Sequence, residues 1–264
     1  SMSSSLRDPV ELESTLGAIA RRTTAKRRPP WVRIPPALAA LIDEAGGLRP
    51  QARYIASRTA NLFRNGAFRM SPGHAFAFAP MWEPESRQII DIDTWKSKGK
   101  PDVYRPILSM SAGDRVVHHV IARRIAPLID SLSGSEVSGY RSGQDAGIDG
   151  ALKKITSFRD EGCRFFLRLD VRDYDGTIDH MILLNQLHKA VGSRVEQNEW
   201  RDIDTVLREY MRVSGNVLGT VGKGMLGGSL LTGLLNNLYL VPVDEVLRSR
   251  GLRFVRAGDD YVVA

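Results

Sequence analysis

The sequence has little that would support a disulfide framework or a membrane anchor. It contains a single cysteine, Cys163, among 264 residues, which excludes a disulfide scaffold and a cysteine-rich zinc site. No apolar run approaches the roughly 20 residues that a membrane-spanning helix needs, and no secretory signal is visible. These absences predict a reduced, cytoplasmic protein without membrane contact, in which Cys163 is a small buried residue.

Charge is the next unbalanced feature. The chain has 37 Lys and Arg residues against 30 Asp and Glu, a net charge of +7. Such an excess suggests a polyanionic partner, although many basic proteins bind none. Residues 1–45 contain a dense basic cluster followed by prolines that disfavour a regular helix. We interpret 1–45 as a basic N-terminal extension, either a solvated tail or an arm that contacts nucleic-acid phosphates.

The remaining patterns predict an α+β fold. The segment "CRFFLRLDV" is typical of a strand, and "LRFVRAGDDYVVA" of a hairpin that turns at Gly258 and Asp259. Helices are expected from near Asp114, over "HMILLNQLHKAVG" with closure at Gly192, and over "EQNEWRDIDTVLREYMRV". A last helix over "GGSLLTGLLNNLYLVPVDEVLRSRG" should be kinked or interrupted at Pro242.

Three acidic residues occupy the ends of these predicted strands. Asp170 closes the first strand, and Asp259 and Asp260 lie at the tip of the hairpin. If the strands are neighbours, the three carboxylates converge, and carboxylate oxygens are ligands that Mg²⁺ prefers. Two such ions, about 3.5–4 Å apart, hold the attacking and leaving oxygens in many phosphoryl transfers. Taken alone, an Asp-Asp pair more often forms a solvated turn.

The order of the surrounding segments resembles a known family. "LRLDVRDYDGTIDH", "GMLGGSLLTGLLNNLYL" and "FVRAGDDYVV" resemble palm motifs A, B and C of right-handed, RNA-templated polymerases. Upstream, "YRPILSMSAGDRVVHHVIARRIAPLID" and "SGYRSG" are similar to the fingers of bacterial and group II intron-type reverse transcriptases. The resemblance covers roughly residues 95–264. It implies fingers over 46–165 and a palm over 166–264, with an antiparallel sheet packed on helices.

Motifs A, B and C depart from reverse transcriptases toward viral RNA-dependent RNA polymerases. Reverse transcriptases usually carry an aromatic residue five positions after the first catalytic Asp, where this chain has Asp175. Gly228, Thr232 and Asn236 are spaced by four and would share one helical stripe, as in the viral motif B that recognises the ribose. Gly258 completes a viral-like Gly-Asp-Asp. Together these departures favour ribonucleotides, although each has a local alternative as a turn, packing or cap residue.

The resemblance also implies catalytic and metal-binding roles. Asp170 and Asp259 would be the principal ligands of two Mg²⁺ or Mn²⁺ ions. Asp260 would be a supporting ligand or a local structural acid, and the carbonyl of Val171 a further ligand.

Basic residues upstream of the strand are candidates for nucleotide binding. Arg105 and Lys100 would neutralise the incoming triphosphate through charge-assisted contacts; a solvated loop is the alternative for the lysine. Arg141 would contact template or triphosphate.

The sequence therefore predicts an RNA-templated nucleotidyltransferase that uses an RNA template, a primer and ribonucleoside triphosphates. A reverse transcriptase and a non-catalytic, polymerase-derived RNA-binding module are the alternatives. The resemblance lacks a thumb after motif C, so we expect a fragment, a second chain that supplies the thumb, or an enzyme with a minimal grip and weak processivity. Viral and bacterial origins both stay open.

Overall fold

A computed structural model describes residues 5–25, 38, 40–41, 47–79, 89–101, 103–141 and 146–264. The fold is α+β. Its helices are α1 (Pro9–Ala25), α2 (Pro50–Arg64), α3 (Ile92–Ser97), α4 (Ala112–Asp130), α5 (Gly147–Asp160), α6 (Tyr174–Thr177), α7 (His180–Ala190), α8 (Gln197–Leu218) and α9 (Leu230–Ser249). Its strands are β1 (His74–Phe78), β2 (Ile89–Asp91), β3 (Arg105–Ser109), β4 (Leu167–Asp170), β5 (Phe254–Ala257) and β6 (Asp260–Val263).

Helix α1 belongs to the core, which differs from the expectation of an extension over 1–45. It packs against α2 and α4. Leu12, Leu16 and Ile19 are buried, and their spacing places them on one helical face. This apolar stripe explains why α1 packs into the core. The prolines and most of the basic cluster, residues 26–36, lie outside the described residues.

The first antiparallel sheet has the order β2-β1-β3 and carries the segment predicted to bind nucleotide. Strand β3 also reaches the loop before α9, because the amide of Leu108 donates to the carbonyl of Gly227 at 3.0 Å. This contact fixes the start of the predicted motif B against β3. The expected helix near Asp114 is confirmed as α4, whose first turn is capped by the Ser111 hydroxyl.

The second antiparallel sheet has the order β4-β6-β5. Strands β5 and β6 form the predicted hairpin, and Gly258 adopts the left-handed conformation at its turn with a φ of 71°. Strand β4 lies at one edge of this sheet, and it pairs with β6 in a register that sets Asp170 against Asp260. The expectation that the acidic strand and hairpin are neighbours is therefore met.

Three local expectations differ from the structure. Helix α7 ends at Ala190 with Val191 as its cap, and Gly192 begins a short 3₁₀ turn instead. Helix α9 continues through Pro242 without interruption, because buried residues on both sides hold the helix despite the lost hydrogen bond. Cys163 is partly exposed rather than buried.

None of the described helices is long and apolar enough to cross a membrane. The predicted boundaries at residues 46 and 166 stay predictions.

Candidate active site

The register of the second sheet brings the predicted carboxylates together. Asp170 and Asp260 are direct partners across β4 and β6, so their side chains leave the same face of the sheet at adjacent positions. Asp259 lies in the turn that leads into β6, and Val171 directly follows β4. The residues that sequence reasoning assigned to motifs A and C therefore meet at one end of the sheet.

The negative charges of this cluster act on Asp259, and one of its members, Asp260, has a cationic partner. Burial, together with the negative charges of Asp170, Asp175 and Asp260, raises the pKa of Asp259 above its ordinary value. Asp260 is balanced by Arg168, whose Nη2 donates to its Oδ1 at 2.9 Å from the same face of β4. Neither Asp170 nor Asp259 forms an ion pair within the described part of the chain.

These donors suit a hard divalent cation in kind. Asp170 and Asp259 offer carboxylate oxygens without a cationic partner, which is the environment that Mg²⁺ or Mn²⁺ selects. Asp260 fits less well because Arg168 already holds it. Among the described residues no group of three or more His, Cys, Asp or Glu side chains is close enough to hold an ion. The assignment of Asp170 and Asp259 as metal ligands stays a prediction.

Two of the predicted ribose-selecting residues, Asp175 and Asn236, are in direct contact. The Asn236 side-chain nitrogen donates to Asp175 Oδ1 at 3.0 Å. Burial raises the pKa of Asp175, while this hydrogen bond and the charge of Arg105 act in the opposite direction. The other end of the Asn236 amide, Oδ1, is buried and has no partner among the described residues. The pair thus includes a buried, unused acceptor beside a carboxylate.

Thr232 is held inside the protein instead of facing a substrate. Its hydroxyl donates to the Leu226 carbonyl at 2.9 Å and lies 2.6 Å from the hydroxyl of Tyr210. Since Tyr210 also donates to the Leu226 carbonyl, the threonine hydroxyl belongs to a buried network. The expected contact between Thr232 and the ribose is therefore corrected. The Thr232 side chain supports the loop before α9 instead.

Gly228 lies before α9 and not on the helical stripe that its spacing predicted, because the helix begins after the Ser229 cap. Its φ is 103°, and a Cβ at this position would overlap the Leu108 carbonyl oxygen and lie 3.0 Å from a methyl carbon of Ile107. The glycine therefore serves the close approach of this loop to β3.

Two of the three predicted triphosphate-binding cations are used within the fold. The Lys100 ammonium donates to the carbonyl of Leu218 at 2.7 Å, at the C-terminus of α8, where a cation is favoured. Arg141 donates to the carbonyls of Gly134 and Val137. Both assignments are corrected, since each side chain is bound to backbone carbonyls of the fold, which for Arg141 lie only four and seven residues upstream.

Arg105 alone of these cations faces the acidic cluster. It is exposed on β3, and its charge acts to lower the pKa of Asp175 and of Tyr140. Its side chain has no hydrogen-bonding or ionic partner among the described residues. An exposed guanidinium near partly buried carboxylates is suited to a bidentate contact with phosphate.

A buried arginine that sequence reasoning missed supports the Asp259 turn. Arg256 is fully buried, and its Nη1 donates to the Gly258 carbonyl and to Asn237 Oδ1, each at 2.9 Å. Its other nitrogens contact the Asp244 carboxylate on α9, at 2.6 Å for the shortest distance. The available signal was strand alternation, because Arg256 lies on the same face of β5 as the apolar Phe254.

The segment before α5 joins the same support. It pairs with β5, because the amide of Ser138 donates to the Arg256 carbonyl at 2.8 Å. The Asn237 side-chain nitrogen donates to the Gly139 carbonyl at 2.8 Å. A Cβ on Gly139 would lie 3.0 Å from the carbonyl carbon of Ala257. The predicted fingers segment is thereby attached to the hairpin that carries Asp259.

No protein-family model matches this chain, and no curated protein is similar enough to match it. Its function has to be inferred from its own residues.

Proposed function

We propose that the chain is an RNA-templated nucleotidyltransferase that prefers ribonucleotides, with fingers over 46–165 and a palm over 166–264. One observation carries the proposal. The register of β4 and β6 sets Asp170 against Asp260 with Asp259 in the adjoining turn, so that acids from distant segments share one end of a sheet.

The chemistry that suits this arrangement is in-line phosphoryl transfer. A primer 3′-oxygen attacks the α-phosphorus of the nucleotide, and the bond to pyrophosphate breaks. Such a reaction depends mainly on positioning and on neutralisation of charge. Asp170 and Asp259 would hold Mg²⁺ or Mn²⁺, which stabilises the attacking and leaving oxygens when bound. Arg105 would bind the triphosphate, and the Arg256 hydrogen bond to Gly258 keeps the Asp259 turn in position.

The Asp175 and Asn236 pair supports a preference for ribonucleotides. A ribose 2′-hydroxyl has one proton to donate, and the Asp175 carboxylate or the unused Asn236 Oδ1 beside it would accept that proton. A site built to bind a hydroxyl disfavours the analogue that lacks it, since its buried polar atoms are then left without partners.

Primer extension on an RNA template, with ribonucleotides and deoxyribonucleotides in parallel, tests the proposal. The protein should incorporate ribonucleotides in the presence of Mg²⁺ or Mn²⁺. Asp170→Asn and Asp259→Asn should each reduce the rate by about a hundredfold or more, and Asp160→Asn, at an exposed position on α5, should not.

Each alternative gives a different result. A clear preference for deoxyribonucleotides would identify a reverse transcriptase and contradict the ribose argument. If the native chain synthesises nothing but binds RNA, and both site variants bind equally well, a non-catalytic RNA-binding module is the correct interpretation.

A further inference from the structure

A tyrosine that sequence reasoning passed over lies at the centre of the site. Tyr140 follows Gly139, and its side chain is 59% exposed. Its ring lies against α9 at Gly233, where a Cβ would be 2.5 Å from the ring carbon Cγ. A Cβ on Gly258 would be 3.5 Å from ring carbon Cε2. The ring thus lies between the Asp259 turn and the helix that carries Asn236.

The acidic cluster acts on this tyrosine. Burial raises the pKa of Tyr140, and the charges of Asp175 and Asp259 raise it further, while Arg105 lowers it. Its hydroxyl has no hydrogen-bonding partner within the described ranges. The tyrosine therefore lies within electrostatic reach of the three groups that would contact ribose, metal and triphosphate, and its hydroxyl does not stabilise the fold through a hydrogen bond to a described residue.

The backbone of Tyr140 is strained. Its φ is 54°, in the left-handed region that glycine adopts without difficulty and that side chains with a Cβ disfavour. The segment holds it there from both sides, through the Asn237 contact to Gly139 and the Arg141 contacts to Gly134 and Val137. Strain of this kind at a solvent-accessible ring is typical of functional positions.

We propose that the Tyr140 ring is the apolar wall of the nucleotide site, against which the ribose and base of the incoming nucleoside triphosphate pack. Gly233 provides the space for the ring, and Asp175 contacts the sugar from the other side. The inference rests on the proposed nucleotidyltransferase function. It makes Tyr140 a nucleotide-binding residue, so its loss should weaken nucleotide binding and leave the predicted metal-binding carboxylates in place.

Tyr140→Gly is the decisive variant because glycine relaxes the backbone while removing the ring. The melting temperature should stay the same or rise, whereas KM for ribonucleotides should rise about fivefold or more, in line with aromatic stacking on a base, and kcat should change much less. Tyr140→Phe keeps the ring and should have the same KM as the native protein. Tyr54→Ala, at an exposed tyrosine on α2, should leave KM unchanged.

Gly233→Ala provides an independent approach to the same ring. The added methyl group would displace the ring in the native background and raise KM, but it should have no further effect when combined with Tyr140→Gly. Such non-additivity is the signature of two residues that act through one contact.

The outcomes separate the two hypotheses. If the native protein incorporates ribonucleotides but Tyr140→Gly and Gly233→Ala keep the native KM, the Tyr140 inference is overturned and the proposed function stands. If KM rises equally in Tyr140→Gly and in Tyr140→Phe, the inference is also overturned, because Tyr140→Phe keeps the ring and the ring is then not the cause. If the native protein incorporates no nucleotide, both hypotheses fail.

Discussion

Arg256 donates to both carboxylate oxygens of Asp244, with its Nη2 2.6 Å from Oδ2 and its Nε 2.9 Å from Oδ1. Both side chains are buried. The hydroxyl of Tyr261 donates to the same carboxylate at 2.9 Å. This buried pair ties β5 and β6 to α9, and so determines where the Asp259 turn lies relative to Asn236.

Removal of one partner of this pair should be severely destabilising. In Arg256→Met the carboxylate of Asp244 stays buried without its cation, and the free energy of unfolding should fall by about 3–5 kcal/mol. Denaturant titration measures the change. Arg159→Ala, which breaks an exposed pair with Asp160, is the matched control and should change stability by less than about 1 kcal/mol. Equal effects would show that the buried network has no special role.

Two adjacent glycines should differ in their tolerance of the same substitution. Gly228→Ala would push a methyl group into the Leu108 carbonyl at a φ of 103°, whereas a Cβ on Gly227 would meet Ile107 at an ordinary 3.6 Å. We expect Gly228→Ala to lower the free energy of unfolding by about 1–3 kcal/mol or more, and Gly227→Ala to be nearly neutral. Thermal unfolding of both variants compares them directly, and a tolerated Gly228→Ala would contradict the close approach.

The ribose argument predicts a change in substrate choice. Asp175→Phe removes the carboxylate that Asn236 holds and adds bulk, so the ratio of ribonucleotide to deoxyribonucleotide kcat/KM should fall about tenfold or more, the value of one hydrogen bond. Competition between the two nucleotides in single-turnover extension measures the ratio. Asp173→Asn is the control, because asparagine tolerates the left-handed backbone of that position; an equal shift in both variants would argue against Asp175 as the selector.

Acid should destabilise the fold through His118. Burial, followed by the charges of His119 and Arg115, lowers the pKa of His118 from 6.5 to about 3. Below pH 6.5 the unfolded chain therefore binds a proton that the folded chain does not. Stability from this group should fall by about 1.4 kcal/mol per pH unit down to near pH 3.

The variant His118→Gln should remove this part of the slope between pH 6.5 and pH 4, as measured by denaturant titrations at several pH values. His74→Gln, at an exposed position on β1, should keep the native slope because His118 is still present. Parallel slopes for the native protein and His118→Gln would show that His118 does not remain neutral on folding.

Local patterns were sufficient for several elements. The hairpin could be predicted because a glycine and an aspartate occupy a two-residue turn between apolar runs, and α4 because an acid lies at its start. The meeting of Asp170 with Asp260 was a conditional expectation only. Register between strands from distant segments depends on tertiary packing that no short pattern encodes.

The errors have a common physical origin. Lys100 and Arg141 were assigned from their charge, but a cation acts where its partner lies. The carbonyl of Leu218 belongs to another element, and that of Gly134 to the turn just upstream of Arg141. Arg256 was overlooked for the reverse reason. A charged residue on an inward-facing strand position signals a buried partner, and that partner, Asp244, is on a helix.

The burial of Leu12 and Leu16 on α1 has a practical meaning for any dissection of this chain. A fragment that starts after residue 45, at the boundary predicted from the sequence, would lose those side chains. It would also uncover the surfaces of α2 and α4 that α1 contacts. Such a fragment should aggregate or unfold whatever happens at the carboxylates, so the smallest autonomous folding unit has to include the first helix.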